Sequence, residues 1–352
     1  MEVSVIKPGM LTSVQDLGRW GYQASGVPVA GAMDLPALRI GNVMIGNQEN
    51  AAALEVTLMG PELAVSGEGL AVFAGAELGF AVNGHEVGSW KAVTLSDGDV
   101  ISFKGPRGCG CRGCLCFSGG IDVPVIMGSR STYTRAKIGG HEGRALKQGD
   151  VLKVADPSPL WKKNNGFSPA KELLPDYNPE LPLKILTGLQ ADAFTEAGLK
   201  TLFESEYTVS SESDRMGCRL EGPKVEHKES GADIVSDGIP LGTVQIPGHG
   251  LPIAMLADRQ TTGGYTKVGV LTASSIQALV QRMPGMKVHF KRTDMESAVS
   301  ELRSSKEKLE KIRQARFSYV SRFGGCLPER PLSPSAKLTV NGKVYEVTCE
   351  EI

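Results

Sequence analysis

The sequence predicts a mainly β protein built from two β-rich modules, followed by a C-terminal helix and a β-hairpin. Its 352 residues include 43 glycines and 20 prolines, which fits many short strands joined by turns better than a helical bundle. The apolar runs of the first half are short and end at turn residues, whereas helical periodicity is confined to a few segments. These observations favour β modules over a helical bundle.

Composition narrows the class of protein. Hydrophobic residues make up 41% of the chain and charged residues 22%, which is typical of a globular protein. The formal net charge of -1 does not favour nucleic acid or an anionic membrane as a partner. The N-terminus does not resemble a signal peptide, and no apolar run approaches the roughly 18 residues of a membrane span. We therefore expect a cytoplasmic protein.

The first module is predicted to occupy residues 1–155. An Asn83-Gly84 pair between two strand signals predicts a hairpin. A helix is predicted to begin after Asp34 as its N-cap, with Pro36 in its first turn, and to end at Gly46. The remaining segments read as strands, at 3–6, 54–58, 70–74, 78–82, 93–95, 100–103 and 151–154.

The rest of the chain divides into three parts. Residues 156–182 are rich in Pro, Lys and Asn and read as a linker. Residues 183–292 form the second module, with a short helix over 191–202 and another capped by Ser274 or Ser275. Residues 293–352 form a tail, in which a charged helix from Asp294 to about Ser321 precedes an Asn341-Gly342 hairpin. We expect this helix to dock on the body of the protein.

Four cysteines lie close together, at Cys109, Cys111, Cys114 and Cys116. Zinc ribbons pair two short cysteine motifs across a longer loop so that four thiolates converge, and this cluster has no second half. We expect Cys114 and Cys116 to be buried core thiols, with zinc binding and a redox role as the alternatives. The other cysteines (Cys218, Cys326 and Cys349) are scattered, which indicates reduced thiols.

The segment richest in functional side chains is Gln260-Thr261-Thr262-Gly263-Gly264-Tyr265. Strand signals at 251–256 and 266–271 flank it, so it is predicted to be a turn. Adjacent glycines permit positive φ, and successive N–H groups in such a turn form an anion-binding nest. The hydroxyl and amide groups add donors. The segment is interpreted as a holder for a carbonyl, carboxylate or phosphate oxygen; the alternative is an ordinary turn with solvated threonines.

This segment, preceded by an apolar strand and the Pro-Gly-x-Gly turn at 247–250, resembles the signature of the second allophanate-hydrolase-subunit family of biotin-dependent carboxyltransferases. The resemblance extends over about residues 1–291, although Cys218 stands where the family usually has an aromatic residue. The family includes the C subunit (PxpC) of the ATP-dependent 5-oxoprolinase, the antagonist of the Kip kinase inhibitor and half of the carboxyltransferase domain of urea carboxylase. Further matching segments lie at 12–22, 31–34, 119–124, 128–132, 139–144 and 213–222.

The resemblance and the residue chemistry together give the candidate site residues. Arg215 is the candidate to grip a substrate carboxylate, with a structural ion pair to Asp214 or Asp237 as the alternative. For Asp16 and Arg19 the alternative is that they pair with each other. The candidate catalytic residues are Gln260, Thr261, Thr262 and Arg215. The candidate substrate-binding residues are Gly263, Gly264, Tyr265, Met216, Arg19 and Asp16. No metal site is expected.

The resemblance also implies a fold and a function. The second module is expected to be a cyclophilin-like β-barrel, and the chain to be the C subunit of an ATP-dependent 5-oxoprolinase with a KipI/PxpB-like and a PxpA-like subunit as partners. The substrate is expected to be a small amide or carboxylate. The sequence has no Walker loop, so ATP is expected on a partner, and it has no Ala-Met-Lys-Met biotin-acceptor motif. The alternatives are a carboxyltransferase that uses carboxyl-biotin carried on another chain, and a non-catalytic regulator like the Kip antagonist.

Overall fold

A computed structural model describes residues 1–188 and 190–322, and the backbone of the strands at 335–340 and 343–348. It confirms the predicted mainly β fold. A two-sheet N-terminal module is followed by a closed β-barrel, a long C-terminal helix and an antiparallel strand pair.

The N-terminal module is a sandwich of two antiparallel sheets. One sheet has the strand order β11-β12-β1-β4-β9-β6-β7 and the other the order β2-β3-β10-β5-β8. The strands are β1 (Glu2–Lys7), β2 (Leu11–Gln15), β3 (Ala53–Thr57), β4 (Glu62–Ser66), β5 (Gly69–Gly75), β6 (Phe80–Val82), β7 (His85–Glu86), β8 (Val93–Leu95), β9 (Val100–Phe103), β10 (Arg112–Phe117), β11 (Ile121–Asp122) and β12 (Val151–Val154).

The apolar core of this module lies between the two sheets. Every second residue of β1 and β4 is buried, so Val3, Val5, Leu63 and Val65 point towards the other sheet. The side-chain period of two in a strand produces this alternation. The predicted Asn83-Gly84 hairpin joins β6 to β7.

Helix α1 (Leu35–Ile45) packs on the outer face of β5 and β10. As predicted, Asp34 is its N-cap: Oδ1 accepts a hydrogen bond from the Ala37 amide at 3.0 Å. Gly46 ends it with a φ of 82°. At Gly41 a Cβ atom would lie only 2.8 Å from Cys116 Sγ, so the glycine allows the helix to approach the sheet closely.

Cys114 and Cys116 are buried between α1 and the sheet, which confirms that they occupy core positions. Cys109 is exposed. Burial raises the pKa of both core thiols, and reactivity towards electrophiles requires the thiolate.

We expect alkylation of the folded protein at pH 8 to modify Cys109 rapidly and to spare Cys114 and Cys116 until denaturant is added. Differential isotope labelling followed by peptide mass spectrometry separates the individual thiols. Rapid modification of Cys116 in the folded state would contradict its placement.

Residues 156–182, predicted as a linker, lie against the N-terminal module. They include two 3₁₀ turns, at Trp161–Asn164 and Lys171–Leu173. Phe167 is buried in the same cluster as α1, and the Tyr177 hydroxyl donates to Asp34 Oδ2 at 2.8 Å. The segment therefore helps to fix the start of α1.

The second module is a closed barrel with the strand order β13-β20-β17-β18-β15-β14-β21. A separate two-stranded hairpin, β16–β19, stands outside it. The strands are β13 (Leu183–Thr187), β14 (Glu206–Val209), β15 (Gly217–Glu221), β16 (Asp233–Gly238), β17 (Thr243–Gln245), β18 (Ile253–Met255), β19 (Thr262–Tyr265), β20 (Lys267–Leu271) and β21 (Lys287–Thr293), with helices α2 (Glu196–Glu204) and α3 (Ala273–Val280) between them.

The predicted cap of α3 was wrong by two or three residues. Thr272 is the N-cap, and its side chain accepts from the Ser275 amide. Ser275 is instead buried, and its hydroxyl accepts from the Lys184 amide of β13 at 2.7 Å. The Thr272 hydroxyl therefore caps the helix, whereas the Ser275 hydroxyl bonds to strand β13 of the barrel.

The predicted C-terminal helix is α4 (Met295–Arg322), and it docks on the protein's own body as expected. Ile312 is fully buried among residues of α1, and Arg313 pairs with Glu49 at 2.6 Å. Strands β22 (Ser335–Val340) and β23 (Lys343–Thr348) pair antiparallel. The predicted Asn341-Gly342 turn lies outside the described residues, as do Cys326 and Cys349. In the described part of the chain, no helix has both the length and the apolar character that crossing a membrane requires.

Hydrogen bonds fix the two modules relative to each other. Gln281 accepts from the amides of Cys111 and Arg112 at 3.0 Å each, and it donates to Asp34 Oδ2 at 2.7 Å. The Ala30 amide donates to the Ala257 carbonyl at 3.1 Å. This contact holds the loop that follows β2 against the barrel, where it forms one wall of a cleft.

Candidate substrate-binding site

The segment predicted as a turn at 260–265 is largely a strand. Thr262–Tyr265 is β19, which pairs with β16 through Gly263 opposite Asp237 and Thr262 opposite Gly238. Neither Gly263 nor Gly264 has a φ in the left-handed region. The expected anion-binding nest at this glycine pair is therefore wrong, because the amides of an extended strand point alternately to opposite sides.

A first cleft of about 780 Å³ opens between this hairpin, the barrel and the N-terminal module. Gln260 and Thr261, two of the predicted catalytic residues, line it, together with the exposed ring of Trp20. The other lining residues include Gln23, Pro28 and Val29 of the N-terminal module and Gln190, Asp237, Ile239, Pro240, Thr243, Arg259 and Lys267 of the barrel module.

Lys267, the first residue of β20, places a buried cation in this cleft. The residue is 8% exposed, and its Nζ has no hydrogen-bond partner among the described residues. The nearest carboxylate is Asp237, whose Oδ2 lies 3.6 Å from Nζ and whose side chain is 61% exposed. A buried ammonium with an incomplete set of acceptors favours an anionic ligand.

Arg259 is a second buried cation in the same cleft. It is 6% exposed, and within the described structure its guanidinium donates to backbone carbonyls, those of Ile239 at 2.9 Å and Leu256 at 3.1 Å. Desolvation lowers the pKa of Arg259 to about 10, so it remains charged at neutral pH. Carbonyl dipoles do not neutralise this charge, whereas a carboxylate in the cleft would.

A second cleft of about 400 Å³ opens on another side of the hairpin. Met216 and Tyr265, two of the predicted substrate-binding residues, line it. Gln260 lines both clefts. The remaining walls are Arg135, Glu212, Asp214, Gly217, Arg219, Gln245, Pro247, His249, Ile253 and Met255.

Arg215 does not line either cleft. Its guanidinium is 9% exposed and joins the two modules: it bonds to Glu55 of β3, to both oxygens of Asp258 at 3.0 Å, and to the Gly31 carbonyl at 2.6 Å. The expected grip on a substrate carboxylate has no support in this geometry, because the carboxylates that Arg215 holds are the protein's own. Its ion-pair partners are also not the Asp214 or Asp237 considered from the sequence.

Asp16 is buried beneath the loop at 126–131. It accepts hydrogen bonds from the Ser129 hydroxyl at 2.7 Å, the Arg130 amide at 2.6 Å and the Ser131 hydroxyl. The hydroxyls of Ser129 and Ser131 are thus used within the fold.

Arg19 is also buried, and it does not form an ion pair with Asp16. Its Nε donates to the Ile126 carbonyl at 3.0 Å and its Nη2 to the Ser131 carbonyl at 2.9 Å. Both residues thus hold the same loop. Of the sequence-predicted site residues, those that line neither cleft are Asp16, Arg19, Arg215, Thr262, Gly263 and Gly264.

Sequence reasoning missed Lys267 and Arg259. The signal at Lys267 was a charged residue at the start of an otherwise apolar strand, which is a rare position for a lysine without a function or a partner. For Arg259, the available signal was its place immediately before Gln260. Within residues 1–188 and 190–322, no cluster of three His, Cys, Asp or Glu side chains is placed to hold a metal ion.

Residues 25–292 match the family model described as carboxyltransferase domain, subdomain A and B. This match includes the barrel module, most of the N-terminal module, the whole second cleft, and the first cleft apart from Trp20 and Gln23. The chain belongs to this family. The two cations and the amide and hydroxyl donors therefore lie within a carboxyltransferase-type domain.

Named relatives of this carboxyltransferase-domain protein are parts of enzyme systems. The chain is 35% identical to the C subunit of 5-oxoprolinase from Escherichia coli (strain K12), over 84% of this chain and 93% of that protein. It is 32% identical to urea amidolyase of Saccharomyces cerevisiae, over 85% of this chain but only 17% of that much longer protein. The crystal structure of Kluyveromyces lactis urea carboxylase matches with a TM-score of 0.78 and 27% identity, over 99% of this chain and 32% of that one.

Proposed function

We propose that this chain is the C subunit of an ATP-dependent 5-oxoprolinase and that its first cleft binds the substrate carboxylate. The observation that carries the proposal is the pair of buried cations, Lys267 and Arg259, which line one cleft in which the nearest carboxylate to Lys267 is the exposed Asp237. The near full-length similarity to the Escherichia coli 5-oxoprolinase protein supports the choice of substrate.

The cleft chemistry suits this substrate. 5-Oxoproline carries one carboxylate and one ring amide, and opening the ring places negative charge on the amide oxygen. The Gln260 amide and the Thr261 hydroxyl line the same cleft as the cations and are donors of the kind that stabilise such an oxyanion. We assign ATP chemistry to the KipI/PxpB-like and PxpA-like partners, and the reaction to the cytoplasm.

A second candidate function is carboxyl transfer from carboxyl-biotin carried on another chain. The match of nearly the whole chain to a urea carboxylase structure favours it. Lys267 and Arg259 would then hold the carboxylate of that group. A non-catalytic regulator of the Kip-antagonist type would use the same fold without turnover.

The test is glutamate release from 5-oxoproline and ATP by the two partner subunits, with and without this chain. We expect release only when all three are present. An assembled complex, verified by size-exclusion chromatography, that releases no glutamate would overturn the proposal. A biotin-acceptor domain that carries carboxyl-biotin is then added to that complex to test the second candidate.

A further inference from the structure

Gln245, the last residue of β17, carries a buried amide without a partner in the described part of the chain. The residue is 2% exposed, and its Nε2 has no hydrogen-bond partner there. A buried donor of this kind destabilises the folded protein unless an acceptor is supplied. Gln245 lines the second cleft, from which a ligand can supply that acceptor.

Gln245 is also the cross-strand neighbour of Lys267. The two residues are paired in the register of β17 and β20, although Lys267 lines the first cleft and Gln245 the second. Gln260 lines both. The buried cation and the buried amide are thus neighbours on adjacent strands, and each borders a cleft that Gln260 also lines.

The hairpin leaves room for the Gln245 amide. A Cβ atom on Gly263 of β19 would lie 3.0 Å from Gln245 Nε2 and 2.6 Å from Ile239 Cδ1. It would lie 3.5 Å from Gln260 Nε2. The glycine therefore allows the side chains of Gln245 and Ile239 to approach the backbone of β19 closely, which gives this position a role that does not depend on positive φ.

The charges of the second cleft do not select an anion. Arg135 and Arg219 are matched by Glu212 and Asp214, and Arg135 Nη2 lies 3.7 Å from Asp214 Oδ2. What distinguishes this cleft is the carboxamide of Gln245. A carboxamide presents one donor and one acceptor side by side.

We propose that Gln245 recognises an uncharged cis amide, namely the lactam edge of the substrate, beside Gln260, which lines both clefts. In a lactam the C=O and N–H groups lie on the same side, so two parallel hydrogen bonds to one carboxamide are possible. Lys267 takes the carboxylate of the same molecule. This inference rests on the proposed function, for which it names the residue that reads the ring amide.

The test uses 2-pyrrolidinone, a lactam without a carboxylate, and the full chain without partners or ATP. Its dissociation constant is measured by ligand-observed NMR titration. We expect Gln245→Met to weaken binding at least tenfold, because the lactam N–H and C=O groups lose their hydrogen-bond partners when the carboxamide is removed. Gln277→Met is the matched control: Gln277 also carries a buried side-chain amide, but it lines neither cleft.

A second arm needs no variant. N-Methyl-2-pyrrolidone lacks the N–H donor and should bind the native chain at least tenfold more weakly than 2-pyrrolidinone. Equal binding of the two compounds, or unchanged binding of 2-pyrrolidinone to a folded Gln245→Met variant, would overturn the inference. If lactam binding depends on Gln245 but the assembled complex releases no glutamate, the amide site stands and the proposed function fails.

Discussion

Replacing Arg215 with Met is expected to lower the free energy of unfolding by about 3–5 kcal/mol, because it leaves two buried carboxylates without their cation. Glu55 belongs to the N-terminal module and Asp258 to the barrel module, and Arg215 bonds to both. Burial raises the pKa of Asp258, and Arg215 opposes this shift. The loss of stability should therefore include separation of the two modules.

Urea unfolding monitored by circular dichroism measures this change. The matched control is Arg219→Met on β15, because Arg219 is exposed and exposed charges contribute little. Arg215→Lys should lose less than Arg215→Met, since it keeps the charge but not the forked geometry. A native-like midpoint for Arg215→Met, together with lost substrate affinity, would instead restore the ligand role expected from the sequence.

Replacing Lys267 with Met is expected to weaken 5-oxoproline binding about 10- to 100-fold. A hydrogen bond to a charged group contributes about 1.5–3 kcal/mol, and each 1.4 kcal/mol is about tenfold in affinity. Stability should change little or improve, because the variant removes a buried ammonium whose ionic partner in the described structure is the exposed Asp237.

Isothermal titration calorimetry of the full chain measures this effect. Lys287→Met is the matched control, because Lys287 is exposed, pairs with Glu206 at 2.8 Å and lines neither cleft. Equal losses of affinity in the two variants would mean that a general change of charge, and not the cleft cation, is responsible.

The sequence predicted those elements in which local pattern decides the structure. Strands such as Val93–Leu95 and Val100–Phe103 were predicted with their observed bounds, since each is a short apolar run between turns. Helix α1 was predicted because its N-cap, proline and terminal glycine all lie within the segment. The thiols Cys114 and Cys116 were placed in the core by the family resemblance, in which the corresponding segment is an apolar strand.

Elements that depend on distant partners were missed. Strand β2 (Leu11–Gln15) reads as a polar loop, yet Thr12 and Gln15 are buried. These polar side chains can be buried because they donate hydrogen bonds to the carbonyls of Pro8 and Thr132. Gln15 and Thr132 are 117 residues apart along the chain, so periodicity cannot reveal the pairing.

Contacts between residues that are distant in the sequence also limited the prediction of the candidate site. Gln260 and Thr261 were found because their chemistry is concentrated in one segment. Arg215 was found as a cation, but its role depends on Glu55, 160 residues away. Lys267 and Gln245 are recognised as neighbours only from the register of β17 and β20, which the sequence alone does not reveal.

The most direct test of the substrate site is the kcat/KM of the assembled complex of three subunits for 5-oxoproline, measured as glutamate release with Lys267→Met in place of the native chain. We expect kcat/KM to fall at least tenfold relative to a complex containing Lys287→Met, mainly through a higher KM. A complex with Lys267→Met that matches this control at limiting 5-oxoproline would contradict binding of the substrate carboxylate in the first cleft.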